Sequence, residues 1–335
     1  MRNPPSDLGL TRRDAIKKTI LFSTGLLAGS WAHQTQALSL DTHFGGPGLH
    51  LLAVGDYGSK NDSQVRVARQ MARFAKKLNQ PLDAVLALGD SFYGKMTPNR
   101  FERDFEKMYD PVALPCPFHF CAGNHDYERV AYGNDPEPRK VEVQLEYAKQ
   151  YPASRWKMPA KWYTLELPDA ENPLLKIIVL DSNLQEGALT PQEKLAQIRF
   201  LEAELAKGTK APWQWLVCHH PLFTETTKRK DNPKLLGLVD KALKTNRFSI
   251  YLSGHDHNLQ HLHVEDYPTS FIVSGAGGAS RYDVTPSCRG FSKSDLGFNH
   301  FHISPTRIKG QFINADGKCV HAFRRSLDGR VEIVT

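Results

Sequence analysis

The chain has 335 residues, of which 40% are hydrophobic and 24% charged. That is the composition of an ordinary folded protein with enough apolar side chains for a large core, which excludes a disordered or fibrous chain. Its net charge of +7 favours anionic ligands, but the basic residues are dispersed rather than banded, so no nucleic-acid surface is expected.

Residues 1–37 read as a leader rather than as part of the fold. Arg12 and Arg13 precede an apolar stretch from Thr19 to Ala32, and Thr35-Gln36-Ala37 offers small residues for cleavage before Leu38. The pattern resembles a twin-arginine export signal, with Ala15 where an aromatic residue is usual. The stretch is short for a membrane span and rich in Gly, Ser and Thr, so an uncleaved anchor is the alternative. Removal of the leader takes away five basic and two acidic residues and lowers the net charge to +4. The expected product is an exported protein, periplasmic or extracellular, that meets a membrane only during export. Residues 38–335 are read as a single catalytic domain.

After a polar, Gly-rich lead, the first predicted strand is Leu49–Val54, which ends in Gly55-Asp56-Tyr57-Gly58. A helix follows, with apolar residues at Val65, Ala68, Met71, Ala72 and Ala75. The run Ala84–Leu88 repeats the logic and ends in Gly89-Asp90-Ser91-Phe92-Tyr93. A third strand, about Pro117 to Ala122, ends in Gly123-Asn124-His125-Asp126. Leu175–Leu180 ends at Asp181, which matches no metal motif and is read as structural. The next helix, Pro191–Lys207, places Leu195, Ile198, Leu201 and Leu205 on one face. Trp213–Cys218 then ends in His219-His220-Pro221, and Phe248–Leu252 leads into Ser253-Gly254-His255-Asp256-His257. Strands alternating with helices define an α/β domain whose ligands bind beyond the strand ends. Ser270–Ser274 and Ile308–Asn314 have strand character without long helices between them, which points to a second, more antiparallel sheet.

Of five cysteines, Cys116, Cys121 and Cys218 lie in or beside predicted strands and read as buried apolar side chains. Cys288 and Cys319 lie in loop-like surroundings where they could pair, and no Cys-x-x-Cys supports a zinc ribbon or redox site.

Five strand tips together supply Asp56, Asp90, Tyr93, Asn124, His219, His255 and His257, with His125 adjacent. One acidic tip means little, because Asp commonly caps helices. Five apolar strands that all turn polar at one end point to a metal site. Oxygen and nitrogen donors without thiolate suit iron, zinc or manganese, and seven are too many for one such ion but enough for two that share a carboxylate.

The ordered motifs Gly-Asp-x-Gly, Gly-Asp-x-x-Tyr, Gly-Asn-His-Asp, His-x-Pro and Gly-His-x-His, between Leu49 and Gly277, resemble the purple acid phosphatases. The resemblance is to the compact type related to mammalian tartrate-resistant acid phosphatase, within the calcineurin-like metallophosphoesterases. It implies two packed mixed β-sheets flanked by helices. The wider superfamily has Asp-x-His in the first motif; here Tyr57 and Gly58 follow Asp56, and Tyr93 looks like the replacement donor. By the same resemblance, Asp56, Tyr93 and His257 would hold Fe(III), while Asn124, His219 and His255 would hold a divalent ion (Fe, Zn or Mn), with Asp90 bridging. The anionic donors then sit on the ion of higher charge. His125 would bind phosphate or protonate the leaving oxygen.

The implied activity is that of a binuclear acid phosphatase, in which a metal-bound hydroxide attacks monoesters of small molecules or phosphoproteins. A phosphodiesterase or pyrophosphatase on the same frame, and a non-catalytic exported phosphate-binding protein, are the alternatives. His220 stands where the mammalian enzymes have tyrosine and is read as a pocket-wall residue. Those enzymes also place a second substrate-binding histidine downstream of His-x-Pro. No histidine occurs here between His220 and His255, which leaves Lys228, Arg229 or Lys230 as substitutes. For the leader, N-terminal sequencing of exported protein is expected to begin at Leu38; an intact N-terminus in the membrane fraction would establish the anchor instead.

Overall fold

The computed structural model describes residues 47–130, 139–184, 188–245, 248–286 and 289–334. The leader expected over residues 1–37 and the cysteine at 288 lie outside them, so neither the export signal nor a Cys288 bridge is described. All described residues belong to one unit, Leu38–Thr335.

An eight-stranded sheet is built from β1 (Leu49–Val54), β2 (Ala84–Ala87), β3 (Phe118–Phe120) and β4 (Trp156–Lys157), all parallel, extended beyond β1 by antiparallel β12 (Gly297–Ile303), β13 (Arg307–Asn314), β14 (Cys319–Ser326) and β15 (Val331–Ile333). In the seven-stranded sheet, β6 (Leu175–Val179), β7 (Trp213–Val217), β8 (Phe248–Ser253) and β10 (Ser270–Ser274) are parallel. Antiparallel β5 (Tyr163–Leu167) pairs with β6 on one side, and β9 (Leu259–Leu262) and β11 (Gly290–Lys293) follow β10 on the other. The late segments therefore do not form a more antiparallel sheet of their own. Residues 270–274 join the parallel block beside β8, and residues 307–314 extend the sheet of β1. Short connections can pair a strand only with its antiparallel neighbour, and β5–β6, β9–β10 and the run β12–β15 are such hairpins.

Strand alternation separates three cores. Leu49, Leu51 and Ala53 of β1 point between the sheets against Trp215, Val217, Ile250 and Leu252, whereas Leu52 and Val54 face a helical layer. That layer contains α1 (Asp62–Leu78), whose buried Val67, Met71, Phe74 and Leu78 recur at helical spacing, and α2 (Lys140–Gln150). Asn61 caps α1 by accepting the Gln64 N–H at 3.0 Å. On the outer face of the second sheet lie α3 (Pro191–Lys207) and α4 (Pro233–Thr245), the latter burying Leu235, Val239 and Leu243. The result is four layers, helix on sheet on sheet on helix.

The apolar face expected on α3 is only partly used. Leu195 is 48% exposed, and buried Gln197 and Glu204 anchor the helix instead. Gln197 accepts the Asp181 N–H at 2.6 Å and donates to the Asp181 carbonyl at 3.0 Å, while Glu204 pairs with buried Lys176 at 3.1 Å. Cys116, Cys121 and Cys218 are buried as expected. Cys319 is not in a loop: it opens β14 and is buried. No helix among the described residues is long and apolar enough to cross a membrane.

Buried histidines make this fold sensitive to acid. Burial first, then the neighbouring His302 or His263, pushes the pKa of His50 and of His321 from 6.5 down to about 4. Between these values the unfolded chain binds more protons than the folded one, so stability is complete above pH 6.5 and declines as pH falls toward 4. Each ring can withdraw up to about 3 kcal/mol over that window. Calorimetric melting temperatures are expected to fall from pH 7 to pH 4.5; a flat or rising profile would contradict this account.

Candidate metal centre

All seven expected ligands arrive at the C-terminal ends of five strands, three strands of one sheet and two of the other. Asp56 follows β1, Asp90 and Tyr93 follow β2, Asn124 follows β3, His219 follows β7, and His255 and His257 follow β8. Backbone hydrogen bonds stitch these tips together: the Asp56 N–H donates to the Gly89 carbonyl at 3.1 Å, and the Gly254 N–H to the His219 carbonyl at 2.9 Å. Asp56, Asp90 and His255 take left-handed backbone conformations, with φ of 58°, 56° and 66°. Such conformations cost about 1 kcal/mol or more each for residues with a Cβ, and cluster where function requires them. Local hydrogen bonds offset the cost. The His255 N–H donates to Asp56 Oδ2 at 2.7 Å and the His125 N–H to Asp90 Oδ1 at 2.9 Å. Gly123 has no alternative, because a Cβ there would lie 2.2 Å from Asp90 Oδ1 and 2.3 Å from the Asp90 nitrogen.

The donor atoms form two groups that meet at Asp90. In the first, Tyr93 Oη lies 3.2 Å from Asp56 Oδ1 and 3.4 Å from His257 Nε2, and Asp56 Oδ1 lies 3.3 Å from His257 Nε2. In the second, His219 Nε2 lies 3.2 Å from Asn124 Oδ1 and 3.1 Å from His255 Nδ1. Asp90 Oδ2 reaches both, at 3.1 Å from Tyr93 Oη and 3.5 Å from His219 Nε2. His219 and His257 give their Nδ1 protons to the carbonyls of Leu88 and Ser280, at 2.7 and 2.6 Å, which leaves Nε2 of each ring facing the group.

Electrostatics match this division. Burial acts to raise the Asp90 pKa, but His219 outweighs it and holds the carboxylate ionised. Burial followed by the His220 and His219 charges keeps His255 neutral and able to donate a lone pair. Burial, then Asp56 and Asp90, pushes the Tyr93 phenol well above 10, so a phenolate here requires a strongly charged cation beside it. Asp56, Asp90 and His257 form one buried group with metal-binding spacing. The other is His219, His220 and His255. The chemistry of both donor sets fits a pair of ions.

The remaining expected residues also have definite places. His125 lies on the rim, its ring 4.5 Å from that of Tyr93. Tyr57 turns away from the ligands: its hydroxyl meets Ser91 Oγ at 2.7 Å and its ring packs edge-on against Tyr109. Buried His220 bonds Ser182 Oγ through Nδ1 at 2.8 Å, with its ring centre 4.2 Å from that of His255. It lines the cleft beside the centre, as expected of a wall residue, and one of its ring nitrogens also lies within metal-binding spacing of His219 and His255. Asp181 is structural, accepting from the Tyr127 hydroxyl and from Asn183. Of the three basic candidates, Arg229 and Lys230 line a cleft of about 310 Å³ with His220 and His255, and Lys228 does not. Arg229 pairs with buried Asp256 at 3.2 Å and lies over the Tyr282 ring at 5.7 Å.

Asp126 was visible in the sequence only as the last letter of a motif. It is fully buried and accepts the N–H groups of Asp90 and Gly123 on Oδ2, at 2.9 and 2.8 Å. On Oδ1 it accepts the Ser91 N–H at 3.1 Å and the Gln144 amide at 2.8 Å.

Residues 41–259 match the family described as calcineurin-like phosphoesterase. The chain belongs to that family, whose members are metal-dependent phosphoesterases. Within it the similarity is to enzymes named acid phosphatases. Mouse tartrate-resistant acid phosphatase type 5 is 28% identical over 85% of this chain and 91% of the relative. Purple acid phosphatase 17 of Arabidopsis thaliana is 31% identical, covering 71% of each chain. The solved structure of purple acid phosphatase PPD1 from yellow lupin shares the fold, with a TM-score of 0.65 at 16% identity over 86% of this chain and 55% of that one. The family implies a binuclear metal centre.

Replacing Asp126 with Ala would leave three buried N–H groups without their acceptor, at about 1–3 kcal/mol each. Asp126→Ala is expected to lower stability by about 3 kcal/mol or more and to reduce metal occupancy, as read by denaturant unfolding and elemental analysis. Full occupancy with wild-type stability would remove Asp126 from the framework of the site.

Proposed function

We propose that the protein is an exported acid phosphatase of the purple type, a binuclear hydrolase of phosphate monoesters. The observation that carries this reading is the place of Asp90 Oδ2, within 3.1 Å of the Tyr93 phenol and 3.5 Å of His219 Nε2. One carboxylate thus lies between an anionic donor set and a neutral one. Asp56, Tyr93 and His257 would hold Fe(III), and Asn124, His219 and His255 a divalent ion of Fe, Zn or Mn. Bound there, the ions would supply Lewis acidity to a phosphoryl group and to the attacking water.

The chain's own groups do the rest. The carbonyls of Leu88 and Ser280 fix the rings of His219 and His257, and Asp126 fixes the loops of Asp90 and Asn124. Arg229, steadied by Asp256, supplies the phosphate contact in place of the second histidine. Its charge adds to burial and the neighbouring histidines in depressing the pKa of His220 and His255, which supports its nearness to the centre. His125 on the rim binds phosphate or delivers a proton to the leaving oxygen. The substrate class is a phosphorylated small molecule or phosphoprotein.

The test combines elemental analysis, an absorption spectrum and turnover. Two metal ions per chain are expected, one of them iron, with a phenolate-to-iron charge-transfer band lost in Tyr93→Phe and kept in Tyr57→Phe. A chromogenic phosphomonoester should turn over faster than the matching diester. Preference for the diester would establish a phosphodiesterase, and no turnover at full metal loading a binding protein. A band that survived Tyr93→Phe at full iron content would remove the ferric assignment.

A further inference from the structure

His125 heads a chain of three polar side chains, of which the reaction outlined above uses only the histidine. His125 Nδ1 meets Glu128 Oε1 at 2.6 Å, and Glu128 Oε2 accepts from Lys140 Nζ at 2.6 Å. Lys140 is fully buried at the start of α2 and spends a second Nζ proton on the Phe92 carbonyl at 2.7 Å. Its backbone N–H also donates to the Glu128 carbonyl at 3.0 Å, so both the backbone and the side chain of Glu128 are held by one residue. At the other end, the His125 N–H is held by Asp90 Oδ1 at 2.9 Å. The imidazole is therefore fixed from its main chain by the carboxylate between the two donor groups, and from its ring by Glu128.

We propose that Glu128 and Lys140 are positioning residues for phosphoryl transfer, which fix the proton on His125 Nδ1 and so aim Nε2 at the ester oxygen. The inference rests on the monoesterase reading above. A carboxylate only accepts hydrogen bonds, so the nitrogen facing Glu128 carries its proton there and the opposite nitrogen is the one left to act. The His125 side chain is 36% exposed, so the ring is accessible from solvent. His219 and His257 show the same Nδ1 arrangement with backbone carbonyls, but their Nε2 atoms point inward among the ligands. The His125 ring lies partly open to solvent instead. His125 acts as the imidazolium, with protons on both nitrogens: as the P–O bond breaks, its electron pair goes to the ester oxygen and the Nε2 proton follows it. The alcohol leaves neutral, and the ring keeps its Nδ1 proton on Glu128.

Leaving-group dependence separates this role from a structural one, because an alkoxide needs a proton to depart and a nitrophenolate does not. The full-length enzyme as purified, Glu128→Gln, His125→Asn and the double variant are compared on p-nitrophenyl phosphate and on glycerol 2-phosphate. In Glu128→Gln the ratio of kcat on the alkyl ester to kcat on the aryl ester is expected to fall about tenfold or more, within the range of general acid catalysis. KM should move less than kcat. The double variant should be no worse than His125→Asn alone, because the two residues act as one unit. In the diamagnetic zinc-loaded protein, the nitrogen-15 histidine spectrum should show one strongly hydrogen-bonded Nδ1 proton that is absent in His125→Asn and shifted in Glu128→Gln. Lys140→Met should give the same ratio change in a smaller degree, and Glu128→Gln stands alone where Lys140→Met does not fold. Equal losses on both esters, additive losses in the double variant, or an Nδ1 signal indifferent to Glu128→Gln each overturn the proposal. A wild-type enzyme that cleaves neither monoester overturns the functional reading and this inference together. Cleavage of both, with an unchanged ratio in Glu128→Gln, overturns this inference alone.

Discussion

The structure depends on one buried carboxylate. Asp126 collects the N–H groups of Asp90, Ser91 and Gly123 and is itself held by Gln144 from α2. The residues it gathers belong to the loops after β2 and β3, which carry Asp90, Tyr93, Asn124 and His125. An unpaired N–H in a buried loop is costly, so tight polar turns at the mouth of a sheet need an acceptor from within the protein. Burial, then the charge of Asp90, raises the Asp126 pKa to about 6. Four donors on Asp126 are what allow the pair to coexist.

Around that turn, the left-handed residues Asp56, Asp90 and His255 show where the fold yields to chemistry. Each follows a strand that is buried along its whole length. Gly89 and Gly123 let the loops meet on the β2 and β3 side, where a Cβ on either would strike the other loop. The scaffold is rigid because its strands are buried in layers, and the strain sits in the few residues that leave them.

Much of this was legible in the chain itself. Apolar runs of strand length that break into Gly-Asp, Gly-Asn-His or Gly-His-x-His announce both a strand and its polar tip, and the tips converge because parallel strands end on one side. Sheet membership was not legible: nothing in Ser270–Ser274 or Ile308–Asn314 says which neighbour each will pair with, since alternation reports burial and not partners. The polar supports were also hidden. Gln144, Gln197, Glu204 and Lys140 sit in helices where polar residues are read as solvent-facing, yet all four are buried against strand tips or loops. Only the fold reveals their partners: the Phe92 carbonyl and Glu128 carboxylate for Lys140, the Asp126 carboxylate for Gln144, the Asp181 main chain for Gln197, and the Lys176 ammonium for Glu204.

The expected ligands come from both sheets, with Asp56, Asp90, Tyr93 and Asn124 on one and His219, His255 and His257 on the other. An ion held among them would therefore act as a rivet between two layers that otherwise meet through apolar contact and a few hydrogen bonds, such as that from the His255 N–H to Asp56 Oδ2. Binding energy spent on the folded form alone becomes resistance to opening. Shortage of metal would then be felt twice, as lost turnover and as a looser seam between the sheets, exposing the chain to proteases at the same mouth where substrate enters.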